Sequence, residues 1–531
     1  MPESSKLDKA VGRLIIGRLP GPELDEDSAA MLGAGIISGV TLFKENAVSL
    51  PQLLRLTAAI HKSYDGAPLV AVDQEGGAVQ RFDHLLTPLP SPMALAARGN
   101  LAAVSDITAL SCRQLKLAGV NCLLAPTVDI ASNPRNPVIG TRSFSSQPET
   151  VAALGLAVAI AIKRAGLLAV AKHFPGHGDT LEDSHTHLAV NHADAGKLWR
   201  RELMPFRTCA TDPALAAAQA VMVGHIWVPA IDREPLPASL SPRVIGGLLR
   251  GYLKFDGLVV TDDLLMKAVT DRWGLAEAAV MAVAAGAEQL LALGSAQEAR
   301  ECHRAIAKAV KAGRIGESWL AGAAARIGKA RLALARDPRL DAGSPARLDD
   351  LAGELEQSLA GGRALALETS ELSVSILRGS APRLAGEWVV LAPDHGRYRL
   401  NLAGELSRLL SRPGALDNVR ITNKRYPLNP SPAECRALAD FCQDKAVIYL
   451  TFRLLAHEGQ AELGRLLCET SHERVTVACD VPYDLIGLPA WHNCMATHDP
   501  SDLAMEALAI LLVNNRQPLG SCPVTLQFEI I

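Results

Sequence analysis

The chain runs from an apolar segment, Ala165-Gly166-Leu167-Leu168-Ala169-Val170, into Lys172-His173-Phe174-Pro175-Gly176-His177-Gly178-Asp179-Thr180 and then Asp183-Ser184-His185. The apolar segment has the pattern of a buried strand, and the glycines and proline after it are typical of an irregular loop. In an α/β barrel, the catalytic residues lie at this carboxyl end of the strands. The stretch therefore predicts a barrel strand that opens into a loop of titratable side chains.

Similar short apolar runs recur up to about residue 335, and amphipathic helical segments separate them. Eight parallel strands with helices between them indicate an α/β fold, an N-terminal (β/α)8 barrel. The predicted strands are Gly12–Gly17, Gly39–Phe43, Pro68–Asp73, Asn121–Ala125, Ala169–Lys172, Ala220–His225, Gly257–Thr261 and Gln289–Leu293. Polar residues follow several of them, which places one site on one face: Asp73-Gln74-Glu75, Asp129, Lys172-His173, His225 and Asp262-Asp263.

The length of 531 residues predicts more than one domain. We predict a barrel catalytic domain over 1–336, a polar linker over 337–347 and a C-terminal α/β sandwich domain over 348–531. The predicted strands of the sandwich are Leu372–Leu377, Trp388–Ala392, Ala446–Thr451 and Arg474–Ala478. Asp480 and Tyr483-Asp484 follow the last of these strands, and we interpret them as a turn.

Bulk composition excludes several classes of function. Hydrophobic residues make up 49% of the chain, charged residues 21%, and the net charge is -3, which argues against disorder and against nucleic-acid binding. The apolar run Val151 to Ile162 is shorter than the ~20 residues of a membrane span. The ten cysteines form no C-x-x-C pair, and no secretory signal is apparent, so we expect reduced thiols in a cytoplasmic protein.

The first hypothesis about catalysis concerns two acids at the end of a predicted strand, Asp262 and Asp263. Asp262 would point into the barrel mouth as a nucleophile or metal ligand, whereas Asp263 could cap the following helix. Asp73 and Arg81 share another loop, where they could form bidentate hydrogen bonds to vicinal hydroxyls or an amide, or make a structural ion pair. A metal site is a further alternative, because histidines are dense after the central strand: His173, His177, His185, His187 and His192.

Together these residues resemble glycoside hydrolase family 3, and within it the β-N-acetylglucosaminidase branch. The resemblance covers roughly residues 8–335. The matching segments are Val72-Asp73-Gln74-Glu75-Gly76-Gly77, Asn136-Pro137-Val138-Ile139-Gly140 with Arg142-Ser143-Phe144, Lys172 to Gly178, Asp183-Ser184-His185, Val221-Met222 with His225-Ile226, and Thr261-Asp262-Asp263-Leu264. Ala78 departs from the family pattern where arginine is common, and Thr141 and Gly224 also differ.

The resemblance implies a retaining exo-β-N-acetylglucosaminidase that releases terminal N-acetylglucosamine from peptidoglycan-derived fragments. Asp262 would be the nucleophile, and His185, oriented by Asp183, the acid/base. An imidazole suits that task, since its ordinary pKa near 6.5 lets it both give and take a proton. The implied substrate-binding residues are Asp73, Arg81, Arg142, Lys172 and His173.

The resemblance implies no metal and no organic cofactor. We expect a small carbohydrate or muropeptide substrate, no nucleic-acid or membrane partner, and a monomer or weak homodimer. The alternatives are a β-N-acetylglucosaminide phosphorylase, another family 3 β-glycosidase acting on glucosides or xylosides, a metal-dependent barrel hydrolase and a non-catalytic sugar-binding protein.

Overall fold

A closed barrel of eight parallel strands forms the first part of the structure. The structure is a computed structural model, and it describes residues 3–184, 187–212, 214, 219–332, 334, 345–488 and 493–526. Each barrel strand pairs with the next along the chain, and Leu290 of the last pairs with Ile15 of the first. The strands are β1 (Ile15–Arg18), β2 (Gly39–Leu42), β3 (Leu69–Val72), β4 (Cys122–Leu123), β5 (Leu168–Phe174), β6 (Gln219–Val223), β7 (Leu258–Asp263) and β8 (Gln289–Leu291).

The predicted barrel is confirmed, and all eight predicted strands exist with shifted ends. The first strand begins only at Ile15, because Glu3–Gly12 forms a helix. The strand predicted over Asn121–Ala125 is reduced to Cys122–Leu123. Strands β2, β3 and β5 are buried along their whole length, as expected for a parallel sheet covered by helices.

Helices cover the outside of the barrel, and local signals set several of their ends. Leu50–Ser63 begins after Ser49, whose side chain accepts from the Gln52 N–H, and buries Leu53, Leu56 and Ile60 on one face. The other α-helices are Glu3–Gly12, Glu26–Ala34, Pro92–Arg98, Leu101–Leu117, Pro148–Arg164, Ala195–Lys197, Leu203–Thr211, Lys267–Trp273, Leu275–Ala285, Ala296–Lys311 and Glu317–Leu332, with π-helices at Leu198–Glu202 and Arg243–Tyr252.

A long helix, Pro345–Ser373, joins the barrel to the rest of the chain. It packs on the barrel helices through Leu351 and Leu355, and Ser358 accepts hydrogen bonds from Gln114. The predicted linker, 337–347, lies outside the described residues except for 345–347, which form the first turn of this helix. The domain limits proposed from sequence stay predictions.

The described residues of 375–488 and 493–526, called the second domain below, form a three-layer α/β sandwich, as predicted. One face of the six-stranded sheet packs on helices Leu402–Leu410 and Asp502–Val513, and the other on Pro432–Phe441 and Glu458–Thr470. The strands of this sheet are β9 (Ser375–Arg378), β10 (Gly386–Asp394), β11 (Val419–Pro427), β12 (Ala446–Thr451), β13 (Glu473–Ala478) and β14 (Cys494–Ala496). Their spatial order is β9-β14-β13-β12-β10-β11, and only the β9–β14 pair is antiparallel.

Two strands of the second domain, β11 and β14, were not predicted from the sequence. β11 lies at the edge of the sheet, so most of its side chains are exposed or partly exposed and it has no continuous apolar run. β14 has three residues, too few for a recognisable pattern.

The second sheet has a switch point at β10. The next strand in the chain, β11, pairs with one edge of β10, and the strand after it, β12, pairs with the other edge, so the connections diverge at the carboxyl end of β10. Such a switch point opens a crevice in which α/β proteins bind ligands.

The second domain docks on the carboxyl end of the barrel. The Ser91 N–H donates to Asp499 Oδ2 at 2.8 Å, and the Tyr483 hydroxyl donates to the Ala131 carbonyl at 2.6 Å. Both barrel partners lie in the loops that follow β3 and β4. The switch point of the second sheet therefore faces the barrel mouth.

None of the helices in the described ranges is both long enough and apolar enough to cross a membrane.

Candidate active site

A cavity of about 620 Å³ opens at the carboxyl end of the barrel strands, beneath the second domain. Loops after β3, β4, β5 and β7 contribute most of its barrel side. Seven residues predicted for the site line this one cavity: Asp73, Arg81, Arg142, Lys172, His173, Asp183 and Asp262. The eighth, His185, lies outside the described residues. The structure thus brings together residues that are up to 189 positions apart in the chain, from Asp73 to Asp262.

A buried network of charges forms one wall. Lys172 Nζ lies 2.7 Å from Asp73 Oδ1 and 2.6 Å from Glu75 Oε1. Arg142 binds Glu75 through two parallel hydrogen bonds of 2.9 Å, a geometry that holds the guanidinium in one plane. Arg81 lies 3.5 Å from Asp73 Oδ2, so the ion pair considered from sequence exists, but Lys172 is the closer partner.

Mutual attraction keeps these groups charged. Burial would raise the pKa of Glu75, but Arg142 and Lys172 hold it well below its usual range. Burial would likewise raise the pKa of Asp73, but Lys172 and Arg81 lower it. Burial would lower the pKa of Lys172, but Asp73 and Glu75 raise it above its ordinary value. Fixed, oriented ions of both signs suit the hydroxyl groups of a sugar, which both donate and accept hydrogen bonds.

Glu75 is a member of the site that sequence reasoning missed. It belongs to the Asp73-Gln74-Glu75 motif, but nothing in the local pattern distinguishes its carboxylate from a surface acid. The structure places it behind Lys172 and Arg142, where its side chain is 1% exposed. It orients the two cations rather than facing the cavity itself.

Asp129 is a second missed residue, although its position after a strand was noted. Its Oδ2 lies 2.6 Å from His173 Nδ1, and its Oδ1 accepts the His177 N–H at 2.6 Å. Arg142 Nη2 approaches His173 Nε2 at 3.3 Å, and since a guanidinium only donates, Nδ1 carries the imidazole proton. Burial would raise the pKa of Asp129, but His173 and these hydrogen bonds lower it.

His177 holds the root of the loop that leads to Asp183. It is buried, with Nδ1 2.7 Å from Thr180 Oγ1 and Nε2 2.9 Å from Ser184 Oγ. Burial lowers its pKa to about 4, so it is neutral at physiological pH. Its hydrogen bonds give His177 a structural task, which sequence alone left open.

Gly178 lies where no side chain fits. A Cβ built there would meet the Ile130 carbonyl oxygen at 1.7 Å, and this neighbour is backbone that cannot rotate away. We expect Gly178→Ala to destabilise the protein by about 1–3 kcal/mol and to lower activity by displacing the loop that carries Asp183. Thermal unfolding and steady-state kinetics measure both effects.

Gly328→Ala is the matched control, because Gly328 lies within helix Glu317–Leu332 and a Cβ there meets nothing within 4 Å. We expect it to be neutral or slightly stabilising. Equal behaviour of the two variants would contradict the steric argument.

Asp262 and Asp263 have different environments at the end of β7. Asp262 lines the cavity, and its Oδ1 accepts the Asp263 N–H at 2.8 Å. Asp263 instead accepts the N–H groups of Leu265 and Leu293, and burial raises its pKa to about 6. The hypothesis that Asp263 caps the next helix is wrong, because that helix begins at Lys267 with Met266 at its N-cap.

The histidine-rich segment shows no metal centre within the described residues. No group of three or more His, Cys, Asp or Glu side chains is arranged there to hold an ion. The ring nitrogens of His177 are engaged by Thr180 and Ser184, and Nδ1 of His173 is engaged by Asp129.

The second domain supplies the remaining wall and braces the barrel loops. Arg453 binds Asp480 Oδ2 at 2.7 Å and donates to the Pro137 carbonyl, while the Thr141 hydroxyl donates to Asp480 Oδ1 at 3.3 Å. These contacts hold the loop that carries Arg142. The interpretation of Asp480 as part of a turn missed this role, because its partners come from another domain.

The parallel barrel, with its charged cavity at the carboxyl end of the strands and the acid at the end of β7, has the architecture of a barrel enzyme, and the cavity suits a polyhydroxylated substrate. The chain belongs to glycosyl hydrolase family 3, since the model of the family's N-terminal domain matches residues 6–330. The chain is therefore a glycoside hydrolase, and the predicted family is confirmed.

Three similar proteins extend this result. A β-hexosaminidase of Alkalilimnicola ehrlichii is 38% identical over 287 residues, 53% of this chain and 80% of that protein. β-Hexosaminidase A of Pseudoalteromonas piscicida is 33% identical over 341 residues, which are 59% of this chain but only 55% of that relative. A solved family 3 β-N-acetylglucosaminidase from a Paenibacillus species superposes with a TM-score of 0.83 at 27% identity and covers 99% of both chains. That likeness includes the second domain.

Proposed function

We propose that this protein is a retaining exo-β-N-acetylglucosaminidase. The observation that carries the proposal is one cavity lined by Asp262 together with Asp73, Lys172 and Arg142, with Glu75 behind the two cations. A sugar whose hydroxyls bind the network can place its anomeric carbon near the Asp262 carboxylate. The resemblance to β-hexosaminidases supports N-acetylglucosamine as that sugar.

The proposed reaction has two steps. In the first, an Asp262 oxygen bonds to the anomeric carbon, the glycosidic C–O bond breaks, and the His185 imidazolium gives its proton to the departing oxygen. In the second, water adds to that carbon, its proton passes to neutral His185, and the Asp262 carboxylate is released. Two displacements return the original anomeric configuration.

Asp183 would orient His185 and stabilise its cationic form, as an aspartate does beside a catalytic histidine in serine proteases. Asp183 lines the cavity and is partly buried. His177 contacts Thr180 and Ser184 in the loop that carries Asp183, so the start of this loop is held in place. Asp183 and His185 would then extend from a fixed position.

We expect activity on 4-nitrophenyl β-N-acetylglucosaminide to exceed that on the matching glucoside and xyloside by at least about tenfold in kcat/KM, since the 2-acetamido group adds contacts. Initial rates with the three substrates measure this preference. A preference for the glucoside or the xyloside would contradict the proposed substrate.

The same assay distinguishes hydrolysis from phosphorolysis. A histidine acid/base does not repel phosphate as a carboxylate would, so phosphate is a possible second acceptor. Hydrolysis predicts free N-acetylglucosamine as the product even in phosphate buffer. Formation of the sugar 1-phosphate would instead identify a phosphorylase.

We further propose that the substrate comes from peptidoglycan fragments and that the enzyme acts in the cytoplasm as a monomer or weak homodimer. All ten cysteines are free thiols, and eight are buried, which supports a reducing compartment. Cell fractionation and analysis of accumulated muropeptides in a deletion strain test this proposal.

A further inference from the structure

Asp179 belongs to the polar loop after β5, and the proposed reaction gives it no task. Its Oδ2 accepts a hydrogen bond of 2.5 Å from Arg201 Nη2 and lies 3.1 Å from Lys197 Nζ. The Lys197 side chain is about half exposed, whereas that of Arg201 is mostly buried, so water weakens the lysine contact more. The main bond between this loop and the neighbouring π-helix is therefore the Asp179–Arg201 pair.

Arg201 is itself held by the next residue of the π-helix. Its Nε donates to Glu202 Oε1 at 2.5 Å, and its Nη2 contacts the same oxygen. The Glu202 side chain is completely buried. A guanidinium whose planar face is bound by two carboxylates has little freedom to rotate. Arg201 thus bridges an acid of its own helix and an acid of the loop.

The backbone of the loop lies directly on Glu202. Gly176 has a φ of 122°, and a Cβ built there would lie 2.9 Å from both Cβ and Oε2 of Glu202. Within the described ranges Oε2 has no hydrogen-bond partner, and burial raises the pKa of this carboxyl to about 7 although Arg201 opposes the shift. A carboxyl group buried at such a cost, where an apolar side chain could fill the same space, indicates a specific task for its bond to Arg201.

Two separate anchors therefore hold the segment that leads to Asp183. His177, which lines the cavity, bonds Thr180 from within the barrel mouth. Asp179 precedes Thr180 and is bonded by Arg201, which does not line the cavity. Asp183 follows both anchor points by a few residues, so its place at the cavity depends on each of them.

We propose that Arg201 and Glu202 are positioning residues for proton transfer: Glu202 fixes Arg201, and Arg201 holds Asp179 so that Asp183 keeps its place at the cavity. This inference rests on the proposed function, in which Asp183 serves the acid/base. It adds to that function two residues whose side chains do not line the cavity.

Two glycosides that differ in their need for a proton test the proposal: 2,4-dinitrophenyl and phenyl β-N-acetylglucosaminide. Dinitrophenolate departs without a proton, whereas phenolate is a much stronger base and needs one from the acid/base. We expect Asp179→Ala and Arg201→Ala to lower kcat/KM for the phenyl glycoside roughly 10- to 100-fold and to leave that for the dinitrophenyl glycoside nearly unchanged. Asp179→Ala leaves Arg201 paired with Glu202, so this variant orphans no buried charge and should fold.

Arg250→Ala is the matched control for damage to the fold. Arg250 binds Glu288 at 2.6 Å, just before β8 and away from the cavity, and the two side chains are 22% and 1% exposed, against 19% and 0% for Arg201 and Glu202. We expect Arg250→Ala to lower stability but to change kcat/KM for the two glycosides by the same factor. Arg200→Ala, at the exposed neighbour of Arg201, should retain both native values.

Equal losses with both glycosides in Asp179→Ala and Arg201→Ala, or no loss with either, would overturn the positioning role. So would a changed ratio in Arg250→Ala, since the ratio would then report general damage. If native enzyme cleaves neither glycoside, the proposed function fails. If it cleaves both and the ratio is the same in native enzyme and in the two variants, only the positioning role fails.

Discussion

Asp262→Ala is expected to lower kcat by on the order of 10⁴-fold or more, because a covalent mechanism has no substitute for its nucleophile. Asp262 is only partly buried and lines the cavity, so its removal should leave the fold intact. Steady-state kinetics on 4-nitrophenyl β-N-acetylglucosaminide, with circular dichroism as a check on folding, measure the effect. Unchanged turnover would remove Asp262 from the mechanism.

Asp263→Asn is the control for this experiment. Asparagine retains an oxygen that can accept the Leu265 and Leu293 N–H groups, so we expect kcat to stay within about tenfold of the native value. A larger loss of kcat in Asp263→Asn than in Asp262→Ala would make Asp263, and not Asp262, the nucleophile.

Azide gives a positive test of the same role. In Asp262→Ala the space of the carboxylate is available to a small anion, which can attack the anomeric carbon in its place. We expect azide to restore part of the activity and to yield a glycosyl azide of inverted configuration. Recovery with retained configuration would contradict a direct role for Asp262.

Glu75→Gln should cause the largest loss of stability, about 3–5 kcal/mol, because it leaves two buried cations without their shared carboxylate. Lys172 and Arg142 are both held by Glu75, with side chains 3% and 12% exposed. We also expect a lower kcat/KM, because these cations would lose the orientation that presents them to the sugar. Urea unfolding and kinetics measure the two effects separately.

The effect of Glu75→Gln should depend on pH in a defined direction. Glu75 has a pKa below its ordinary value of 4.5, so its ionised form stabilises the fold fully above about pH 4.5. That stabilisation is lost as the pH falls further, whereas glutamine does not titrate. The difference in unfolding free energy should therefore be constant near pH 7 and shrink in acid.

Glu277→Gln provides the comparison. Glu277 pairs with Arg314, but both side chains are about half exposed, so we expect no measurable change in stability at pH 7. A Glu75→Gln variant that unfolds like Glu277→Gln would contradict the view that the network orders the site.

Much of the site could be predicted because its residues follow strands directly. Lys172 and His173 end the apolar run of β5, and Asp262 lies at the end of β7, so strand recognition placed them at the mouth. The edge strand β11 was not predicted, because a half-exposed strand has no apolar run. Glu75 was missed for another reason: its role depends on Arg142, which is 67 residues away in sequence.

The sequence by itself determined the barrel, the family and the residues at the strand ends, because each depends on a pattern among neighbours in the chain. Only the tertiary structure decided that Glu75 and Asp129 orient the predicted residues and that Asp263 braces a loop. It also decided that the second domain lines the cavity, with Arg453 among the lining residues. The physical reason is that a charge acquires its role from its partners, and Asp480 reaches Thr141 across 339 residues that only folding brings together.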